Sequence, residues 1–271
     1  MRILFFGDLV GLPGRIMLQK HLPHIKNQLN PDFILVNGEN SASDGRGITP
    51  KIMHFFKHLG VHLVTSGNHI FAKKDIYPYL RDHQDLIRPL NFPGGCPGNG
   101  VTVISNNGKT LGVINVQGRV FMRELLACPF RACESALTFL KSKTNAIFID
   151  MHAETSSEKM GMAHYFDGKV SAVVGTHTHV PTADERILPG GTAYITDVGM
   201  AGALNSMIGM KKETVLTNML TQMPSRFEVD LVGPFQLCAV VIDIDDETGK
   251  ALKIERIRVI DHEMTIQSTE D

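Results

Sequence analysis

The stretch Ile3-Leu4-Phe5-Phe6-Gly7-Asp8 decides the fold of this chain. Its first four residues are a short apolar run typical of a fully buried β-strand, and Gly7 and Asp8 end that run at once. Apolar residues recur at approximately helical spacing over residues 14–29, and a second apolar run occupies residues 33–36. A strand, a helix and a strand in this order predict a βαβ unit, the building block of a parallel sheet.

The same alternation continues through the first two thirds of the chain and predicts a large α/β fold. Further strands are predicted at residues 62–65, 101–104, 110–116, 146–151, 172–174 and 193–195. Further helices are predicted at residues 50–59, 131–143 and 158–167, the first of them with Thr49 as N-cap and Pro50 at its first position. We therefore expect one large, mostly parallel sheet flanked by helices, within a single domain over residues 1–271.

The end of the chain has a different pattern. Residues 235–244 and 252–260 are apolar-rich runs separated by a polar segment at 245–250, which predicts an antiparallel β-hairpin. Two loop segments are predicted from composition, the Gly/Pro-rich residues 91–100 and the Gly-, Ala- and Met-containing residues 199–212. Residues 91–100 are by base rates a surface connection, but loops on a rigid scaffold often carry function, so we expect residues 93–100 and 199–212 to set substrate choice.

Composition and charge exclude several classes of protein. The formal net charge is -1 and the pI is about 6.9, so the chain has no overall positive field for nucleic acid or anionic lipid. Its longest apolar runs are far shorter than the roughly 20 residues of a membrane-spanning helix, and its first residues do not form a secretory signal. Cys96, Cys128, Cys133 and Cys238 are scattered without a metal-binding spacing. These features predict a cytoplasmic protein with no membrane partner.

Five predicted strands end in polar residues that can bind a metal ion. These residues are Asp8 after the first strand, Asn37, Glu39 and Asn40 after the second, Asn68 and His69 after the third, His152 and Glu154 after a later one, and His177 and His179 after the next. The carboxyl ends of strands in an open parallel sheet meet at one edge, so residues far apart in sequence converge there. Each group alone is explained equally well by helix caps, turns or solvated loops. The prediction of a metal site therefore depends on all five occurring together.

The predicted ligands are oxygen and imidazole groups without a thiolate. Such a set suits manganese, iron or zinc rather than copper(I) or an iron–sulfur cluster. A carboxylate such as Glu39 can bridge two ions, and two metals about 3.5–4 Å apart can generate a hydroxide nucleophile and hold the oxygens of an in-line displacement at phosphorus. A histidine beside the metals is the natural proton donor for the leaving oxygen. The residues thus predict metal-dependent hydrolysis of a phosphoester.

The order of these motifs resembles the calcineurin-like metallophosphoesterase superfamily. The motifs are Gly-Asp, Asn-Gly-Glu-Asn, Gly-Asn-His, a lone histidine after a strand and Gly-x-His-x-His. Within that superfamily, residues 7–11 (GDLVG), 37–42 (NGENSA) and 175–184 (GTHTHVPTAD) closely resemble the YmdB-like bacterial phosphodiesterases. The likeness extends through residues 196–200 and 222–227, so it covers nearly the whole chain. It implies the α/β sandwich fold of that superfamily.

The resemblance also implies a role for each site residue. One metal ion would be held by Asp8, Glu39, Asn40 and His179, and the second by Glu39 as a bridge together with Asn68, His152 and His177. The proton donor would be His69. The family implies two ions, iron or manganese, and hydrolysis of phosphodiester bonds in cyclic nucleotides.

The first motif departs from the wider superfamily at Val10, where Asp-x-His is usual. In the YmdB-like subgroup an asparagine supplies the missing ligand, and the resemblance implies that Asn40 does so here. A neutral amide oxygen then replaces an imidazole, so the metal identity does not transfer from the broad superfamily.

Other enzyme classes fit less well. The glycines at positions 7, 11 and 14 match neither G-x-G-x-x-G nor the P-loop pattern, which excludes a Rossmann or P-loop protein. His177-Thr178-His179 also resembles a motif of metal-dependent hydrolases that act on amides. Those enzymes have further ligands close behind in the same motif, whereas residues 180–182 are Val, Pro and Thr here. The partners lie instead on earlier strands, which favours phosphoesters.

A non-catalytic metal- or nucleotide-binding regulatory protein on the same fold is the alternative function. The full ligand set together with His69 argues against it, because a binding role requires no acid group. Cyclic mononucleotides, RNA ends and simple phosphomonoesters present the same reacting phosphorus, so the residues leave the substrate open among them. Self-association into a homo-oligomer is compatible with the sequence.

Overall fold

The computed structural model describes residues 1–266, which form twelve β-strands and six α-helices. The strands are β1 (Arg2–Leu9), β2 (Phe33–Asn37), β3 (Leu63–Thr65), β4 (Val101–Asn106), β5 (Lys109–Gln117), β6 (Ile147–His152), β7 (Ala172–Thr176), β8 (Arg186–Ile187), β9 (Ala193–Ile195), β10 (Met200–Ala203), β11 (Phe235–Ile244) and β12 (Ala251–Asp261). The helices are α1 (Gly11–Leu29), α2 (Pro50–His58), α3 (Ile76–Asp82), α4 (Pro129–Lys141), α5 (Ser156–Tyr165) and α6 (Lys212–Thr221). Within residues 1–266, none of these helices has both the length and the apolar character of a membrane span.

The strands are divided between two six-stranded sheets, so the expectation of one large sheet was wrong. The first sheet has the order β12-β11-β10-β1-β2-β3, and the second has the order β4-β5-β6-β7-β9-β8. Strands β1, β2 and β3 run parallel in the first sheet, as do β5, β6, β7 and β9 in the second. Hydrophobic periodicity reports whether a strand is buried but not which neighbour it pairs with, so it did not separate the two sheets.

The two sheets pack face to face with a hydrophobic core between them. On β1, Ile3 and Phe5 belong to the core shared with the second sheet. Leu4 and Phe6 alternate with them and pack against the outer helices, as the two-residue period of a strand requires. The rings of Phe5 and Phe148 meet across the shared core, with their centroids 5.1 Å apart. Helices α1 and α2 cover the outside of the first sheet and α4 and α5 that of the second, which gives the α/β sandwich.

The C-terminal antiparallel hairpin is confirmed. Strands β11 and β12 pair antiparallel over ten registered positions. β11 also pairs antiparallel with β1 from Arg2 to Phe6, so the hairpin lies directly beside the parallel strands of the first sheet. The carboxyl ends of β1, β2 and β3 remain together at one edge, where polar residues follow each of them.

Several elements begin or occur where the sequence pattern did not indicate them. Helix α1 begins at Gly11 rather than at residue 14, α4 begins at Pro129, and α5 begins two residues early because Thr155 caps it. Helices α3 and α6 were not predicted: α3 has only seven residues, and α6 buries only Val215, so neither has a long apolar periodicity. Met200–Ala203, within the segment expected to be a loop, is the buried strand β10.

Candidate metal centre

The predicted site residues lie at the edge where parallel strands of both sheets end. The first sheet brings Asp8, Glu39, Asn40, Asn68 and His69 to this edge, and the second brings His152, His177 and His179. A cleft of about 250 Å³ opens there, with Glu39, Asn40, His69, His177 and His179 among its lining. Asp8 and His152 lie beneath these residues and have no exposure to solvent.

His152 lies at the centre of the group. Its Nε2 atom is 3.1 Å from Glu39 Oε1, 3.0 Å from Asn68 Oδ1 and 3.1 Å from His177 Nδ1. One ring nitrogen carries at most one proton, so it can donate to only one of these three acceptors. A cation among the four atoms would satisfy all of them at once. Ligand atoms of Glu39, His152 and His177 lie within 4.8 Å of one another, a spacing that suits a single ion.

A hydrogen-bond chain behind His152 fixes the orientation of its ring. His152 Nδ1 donates to Thr176 Oγ1 at 2.9 Å, because the Thr176 hydroxyl itself donates to Asp150 Oδ1 at 2.7 Å. Asn37 and Thr65 donate to the other oxygen of Asp150, at 3.0 and 2.5 Å. Asp150 is completely buried, and burial raises its pKa to about 6. The chain leaves Nε2 of His152 directed at the other ligand groups.

His177 and His179 are oriented by acceptors in the same way. His177 Nε2 lies 3.1 Å from Glu154 Oε2, and His179 Nδ1 donates to the carbonyl oxygen of Ile208 at 2.8 Å. An acceptor behind a metal-binding histidine fixes its tautomer and ring orientation. The atoms left available to a metal are therefore Nδ1 of His177 and Nε2 of His179.

Asp8 and Asn40 present buried oxygens without hydrogen-bond partners. Asp8 Oδ2 accepts from the His177 backbone N–H at 3.1 Å, whereas Oδ1 has no partner and lies 3.8 Å from His179 Nε2. Asn40 Nδ2 donates to the Gly45 carbonyl at 3.0 Å and leaves Oδ1 unpartnered. A buried polar atom without a hydrogen-bond partner destabilises a protein by about 1–3 kcal/mol. Two such oxygens at one cleft therefore indicate that a ligand binds there. Their chemistry fits a metal ion.

Gly67 leaves the space in which two ligand groups meet. A β-carbon at this position would overlap His152 Nε2 and Glu39 Oε2. Glycine is therefore required for the two groups to approach the same point. A space bounded by an imidazole nitrogen, a carboxylate oxygen and a bare backbone fits a metal ion.

The buried charges of the group compensate one another. Burial opposes a charge on His152, but the surrounding carboxylates, Glu39 foremost, raise the pKa of His152 to about 9. Burial also opposes the charge on Glu39, yet His152 and His69 lower the pKa of Glu39 to about 2. Burial and the positive charge of His152 lower the pKa of His177 to about 3, so the His177 ring is neutral. A metal ion held by His152 Nε2 would take the place of the proton on that nitrogen.

Val10 lies in a small apolar cluster, which explains the departure from Asp-x-His. Its side chain is completely buried with Met200 and Val229. Gly209 packs so closely that a β-carbon there would overlap Val10. An imidazole at residue 10 would bring an unpaired polar group into this cluster, which is unfavourable. The unpartnered amide oxygen of Asn40 is the available alternative.

The loop that carries His177 and His179 is held from below by a buried ion pair. Both histidines have left-handed backbones, with φ of 98° and 65°, which is uncommon outside glycine. Thr178, between them, donates to Asp197 Oδ2 through its N–H at 3.1 Å and its hydroxyl at 2.7 Å. Lys159 Nζ lies 2.7 Å from the same oxygen, and both charged side chains are almost fully buried. This anchor fixes the two imidazoles relative to the sheet.

His69 lies beside the ligand groups and is partly exposed to the cleft. Its backbone N–H donates to Glu39 Oε2 at 3.1 Å, and its Nε2 lies 3.4 Å from Asn68 Nδ2. Burial lowers the pKa of His69, which makes its protonated form a stronger acid. This position suits a group that contacts a substrate in the cleft.

Sequence reasoning missed the groups that support the ligands. Asp150 and Thr176 orient His152, and Lys159 and Asp197 hold the histidine loop. The signal for Asp150 was its position inside the otherwise apolar run of β6, because a buried carboxylate is unfavourable unless other groups pair with it. The signal for Lys159 was weaker, because α5 has little amphipathic character to mark an inward-facing lysine.

Only one of the two loops expected to set substrate choice lines the cleft. The segment 199–212 contributes Ile208 and Met210, and Phe227 lies beside them. No residue of 93–100 is among the described residues that line the cleft, which agrees with the alternative interpretation of this loop as a surface connection. Asn99 instead lines a separate groove with Val101.

The sandwich fold and the oxygen–imidazole group at its strand ends define the class, the metallophosphoesterases, which hydrolyse phosphoric esters. Two solved structures are similar over nearly the whole chain. A phosphatase from Mycoplasma pneumoniae has a TM-score of 0.90 and 35% identity, over 97% of this chain and 95% of that one. A hypothetical protein from Thermus thermophilus has a TM-score of 0.89 and 39% identity, over 96% of this chain and 100% of that one.

Comparison of its sequence with known proteins shows the family to which this chain belongs. The model of the YmdB-like protein family matches residues 4–257. The 2′,3′-cyclic-nucleotide 2′-phosphodiesterase of Bacillus subtilis (strain 168) is 50% identical over 264 residues, which cover 97% of this chain and 99% of that protein. This chain belongs to the YmdB-like family.

Proposed function

We propose that this chain hydrolyses the phosphodiester bond of 2′,3′-cyclic nucleotides with two metal ions bound in the cleft. The observation that carries the proposal is the convergence of three acceptors on His152 Nε2, beside the unpartnered oxygens of Asp8 and Asn40. The substrate class is suggested by the Bacillus subtilis relative, whose name states that activity and which is 50% identical to this chain.

The proposed ligand sets share Glu39. One ion would be held by Asp8, Glu39, Asn40 and His179, and the other by Glu39, Asn68, His152 and His177. When bound, the ions supply activation of a water nucleophile at neutral pH and neutralisation of charge on the phosphoryl oxygens. Oxygen and imidazole ligands without a thiolate support iron or manganese as the ions. Only Asp8 and Glu39 among these ligands are anionic, so the loaded cleft attracts a phosphodiester despite the net charge of -1 on the chain.

His69 is the proposed proton donor to the leaving oxygen. Its ring lines the cleft, and the bond from its backbone N–H to Glu39 holds it next to the shared carboxylate. For hydrolysis of a 2′,3′-cyclic phosphate at the 2′ position, the leaving group is the 2′-oxygen, which takes a proton from His69 as the ring opens. The product is a nucleoside 3′-phosphate.

We also propose a cytoplasmic location, because all four cysteines are free thiols, as is usual in a reducing compartment. RNA 3′ ends that carry a 2′,3′-cyclic phosphate have the same reacting group as the mononucleotides. Turnover of such an oligonucleotide at a rate similar to that of 2′,3′-cAMP would extend the substrate class to RNA ends.

The test compares the metal-reconstituted wild type with His69→Ala on 2′,3′-cAMP and on bis-p-nitrophenyl phosphate. We expect wild-type turnover and a kcat about 10²- to 10⁴-fold lower in His69→Ala, the usual contribution of a general acid, with unchanged metal content. His58→Ala is the matched control, since His58 is exposed on α2 and should retain full activity.

The alternative is a regulatory protein that binds metal or nucleotide without turnover. It predicts equal and negligible turnover by the wild type and His69→Ala, although both hold two ions per chain. That result would reject the proposed phosphodiesterase activity in favour of the regulatory role.

A further inference from the structure

The cleft has an apolar wall that a metal centre does not require. Ile208, Met210 and Phe227 line the same cleft as Glu39 and His179. Ile208 is 52% exposed, and Phe227 and Met210 are partly exposed. Phe227 is the only Phe, Tyr or Trp among the described residues of the lining. Apolar side chains kept open to solvent beside a polar centre indicate a ligand with an apolar part.

The wall consists of two short segments that pair with each other. Lys211 N–H donates to the Glu228 carbonyl at 2.8 Å, and Asp230 N–H donates to the Gly209 carbonyl at 2.9 Å. The side chains of Lys211 and Glu228 also form an ion pair at 2.7 Å. Phe227 directly precedes Glu228, so its backbone is fixed relative to the neighbouring turn. An aromatic side chain on a fixed backbone has only two torsions to order when a flat ligand stacks on its ring, so little entropy is lost.

Ile208 connects the wall to the metal centre. Its carbonyl oxygen accepts the bond from His179 Nδ1 at 2.8 Å. Its φ of 49° is in the left-handed region, which β-branched residues avoid. The adjacent turn holds this backbone, since Gly209 N–H donates to Ser206 Oγ at 2.8 Å. Strain of this kind persists where the surroundings enforce it and is common at ligand sites. Here the enforced backbone conformation places the exposed side chain of Ile208 at a fixed position relative to His179.

We propose that Phe227, with Ile208 and Met210, forms a subsite for the nucleobase, and that Phe227 is a specificity-determining residue. The inference rests on the proposed function. Every base has a flat π-face, and stacking on an aromatic side chain recognises that face whatever the base sequence. Arg46 also lines the cleft and supplies a cation for the phosphodiester. The enzyme therefore prefers a nucleoside cyclic phosphate to a cyclic phosphodiester that lacks a base.

The test measures a ratio of specificities. The kcat/KM for 2′,3′-cAMP is divided by that for glycerol 1,2-cyclic phosphate, which has the same five-membered ring and no base. We expect this ratio to fall about tenfold in Phe227→Leu, which keeps an apolar side chain but removes the stacking face. The fall should come from KM for 2′,3′-cAMP. Phe139→Leu is the matched control, because Phe139 is 50% exposed on α4, and its ratio should equal that of the wild type.

A binding measurement supports the kinetic one. Calorimetric titration of metal-loaded protein with 3′-AMP and with inorganic phosphate should show that Phe227→Leu weakens 3′-AMP about tenfold more than phosphate. An unchanged kinetic ratio, with both substrates turned over, would overturn the subsite and leave the proposed function intact. Equal losses for both substrates would also overturn it, since a structural role predicts that result. If the wild type turns over neither substrate, the proposed function fails, and the 3′-AMP titration decides the subsite alone.

Discussion

Gly67 has no side chain, and the space that this leaves is where Glu39 and His152 face each other. We expect Gly67→Ala to prevent binding of the proposed metal pair, because the new methyl group would fill the space between these two groups that a metal ion would need. The fold should persist, since the three atoms nearest to the new methyl group belong to the side chains of His152 and Glu39 and none of them is a backbone atom. Elemental analysis of the reconstituted variant, together with a circular dichroism spectrum, measures both outcomes.

Gly94→Ala is the matched control for this prediction. No atom lies within 4 Å of a β-carbon built at Gly94, so this variant should bind two ions per chain like the wild type. Two ions per chain in Gly67→Ala would place the metal centre elsewhere and remove Gly67 from it.

At the scale of elements, the ends of β6 and β7 act together through the hydroxyl of Thr176. The Thr176 hydroxyl, at the end of β7, accepts from His152 Nδ1 and donates to Asp150. It therefore links His152 to the carboxylate that lies two residues earlier on β6. We expect Thr176→Val to weaken metal binding about 10- to 100-fold, the usual cost of removing a partner of a ligating histidine. Competition with a fluorescent chelator measures the affinity.

The control for this prediction is Thr217→Val on α6. Thr217 is exposed, and its hydroxyl donates to the Glu213 carbonyl within its own helix, so its loss should leave metal affinity unchanged. An affinity of Thr176→Val equal to that of the wild type would show that the hydroxyl does not position His152.

Asp261 ties the end of β12 to helix α1. Its carboxylate lies 2.5 Å from Lys20 Nζ and 2.9 Å from His21 Nε2, and it accepts from the N–H groups of Glu263 and Met264. Burial alone would raise the pKa of Asp261, but these four donors outweigh burial and hold it well below its usual range. The stability that this carboxylate contributes is therefore complete above the unfolded-state pKa of about 3.9 and is lost as the pH falls toward the folded-state pKa.

Asp261→Asn should consequently melt below the wild type at pH 6, with a gap that narrows as the pH is lowered from 5 to 2.5. The comparison of the two melting temperatures cancels effects common to both proteins, such as protonation of the metal ligands. A gap that stays constant over this range would mean that the ionised carboxylate contributes nothing to stability.

The structure brings together the residues that the sequence proposed as ligands, whereas the sequence did not indicate the groups that support them. Asp8 and His152 were proposed because each follows or ends an apolar strand, and the carboxyl ends of parallel strands converge at one edge of a sheet. Asp197 and Phe227 were not assigned a role, because they act through partners that lie far away along the chain and no local period marks them. The division into two sheets was hidden for the same reason. Burial is a local property of a segment, whereas pairing depends on every other segment.

At the scale of the whole molecule, the proposed metal centre joins the two sheets. Asp8, Glu39, Asn40 and Asn68 come from the first sheet, and the three histidine ligands come from the second. We propose that the chain unfolds as one domain, since ions bound across both sheets resist their separation. Each ion bound at 100 times its Kd adds about 2.7 kcal/mol to the free energy of unfolding, and one such ion corresponds to roughly 5–10 °C in melting temperature for a chain of this size.

Removal of the ions with a chelator should therefore lower the melting temperature by at least this amount, and re-addition of manganese should restore it. Glu39→Ala serves as the reference, because loss of the shared carboxylate should abolish binding of both ions and make its melting temperature insensitive to the chelator. A wild type that melts at the same temperature with and without the chelator would contradict the link between the two sheets.

The placement of the ligands along the chain has a consequence for biosynthesis. Translation delivers the N-terminal residues first, so Asp8, Glu39, Asn40 and Asn68 leave the ribosome well before His177 and His179. The three histidine ligands of the proposed centre thus leave the ribosome last, after all of its oxygen ligands. We propose that the metal centre therefore forms only after roughly two thirds of the protein has been made.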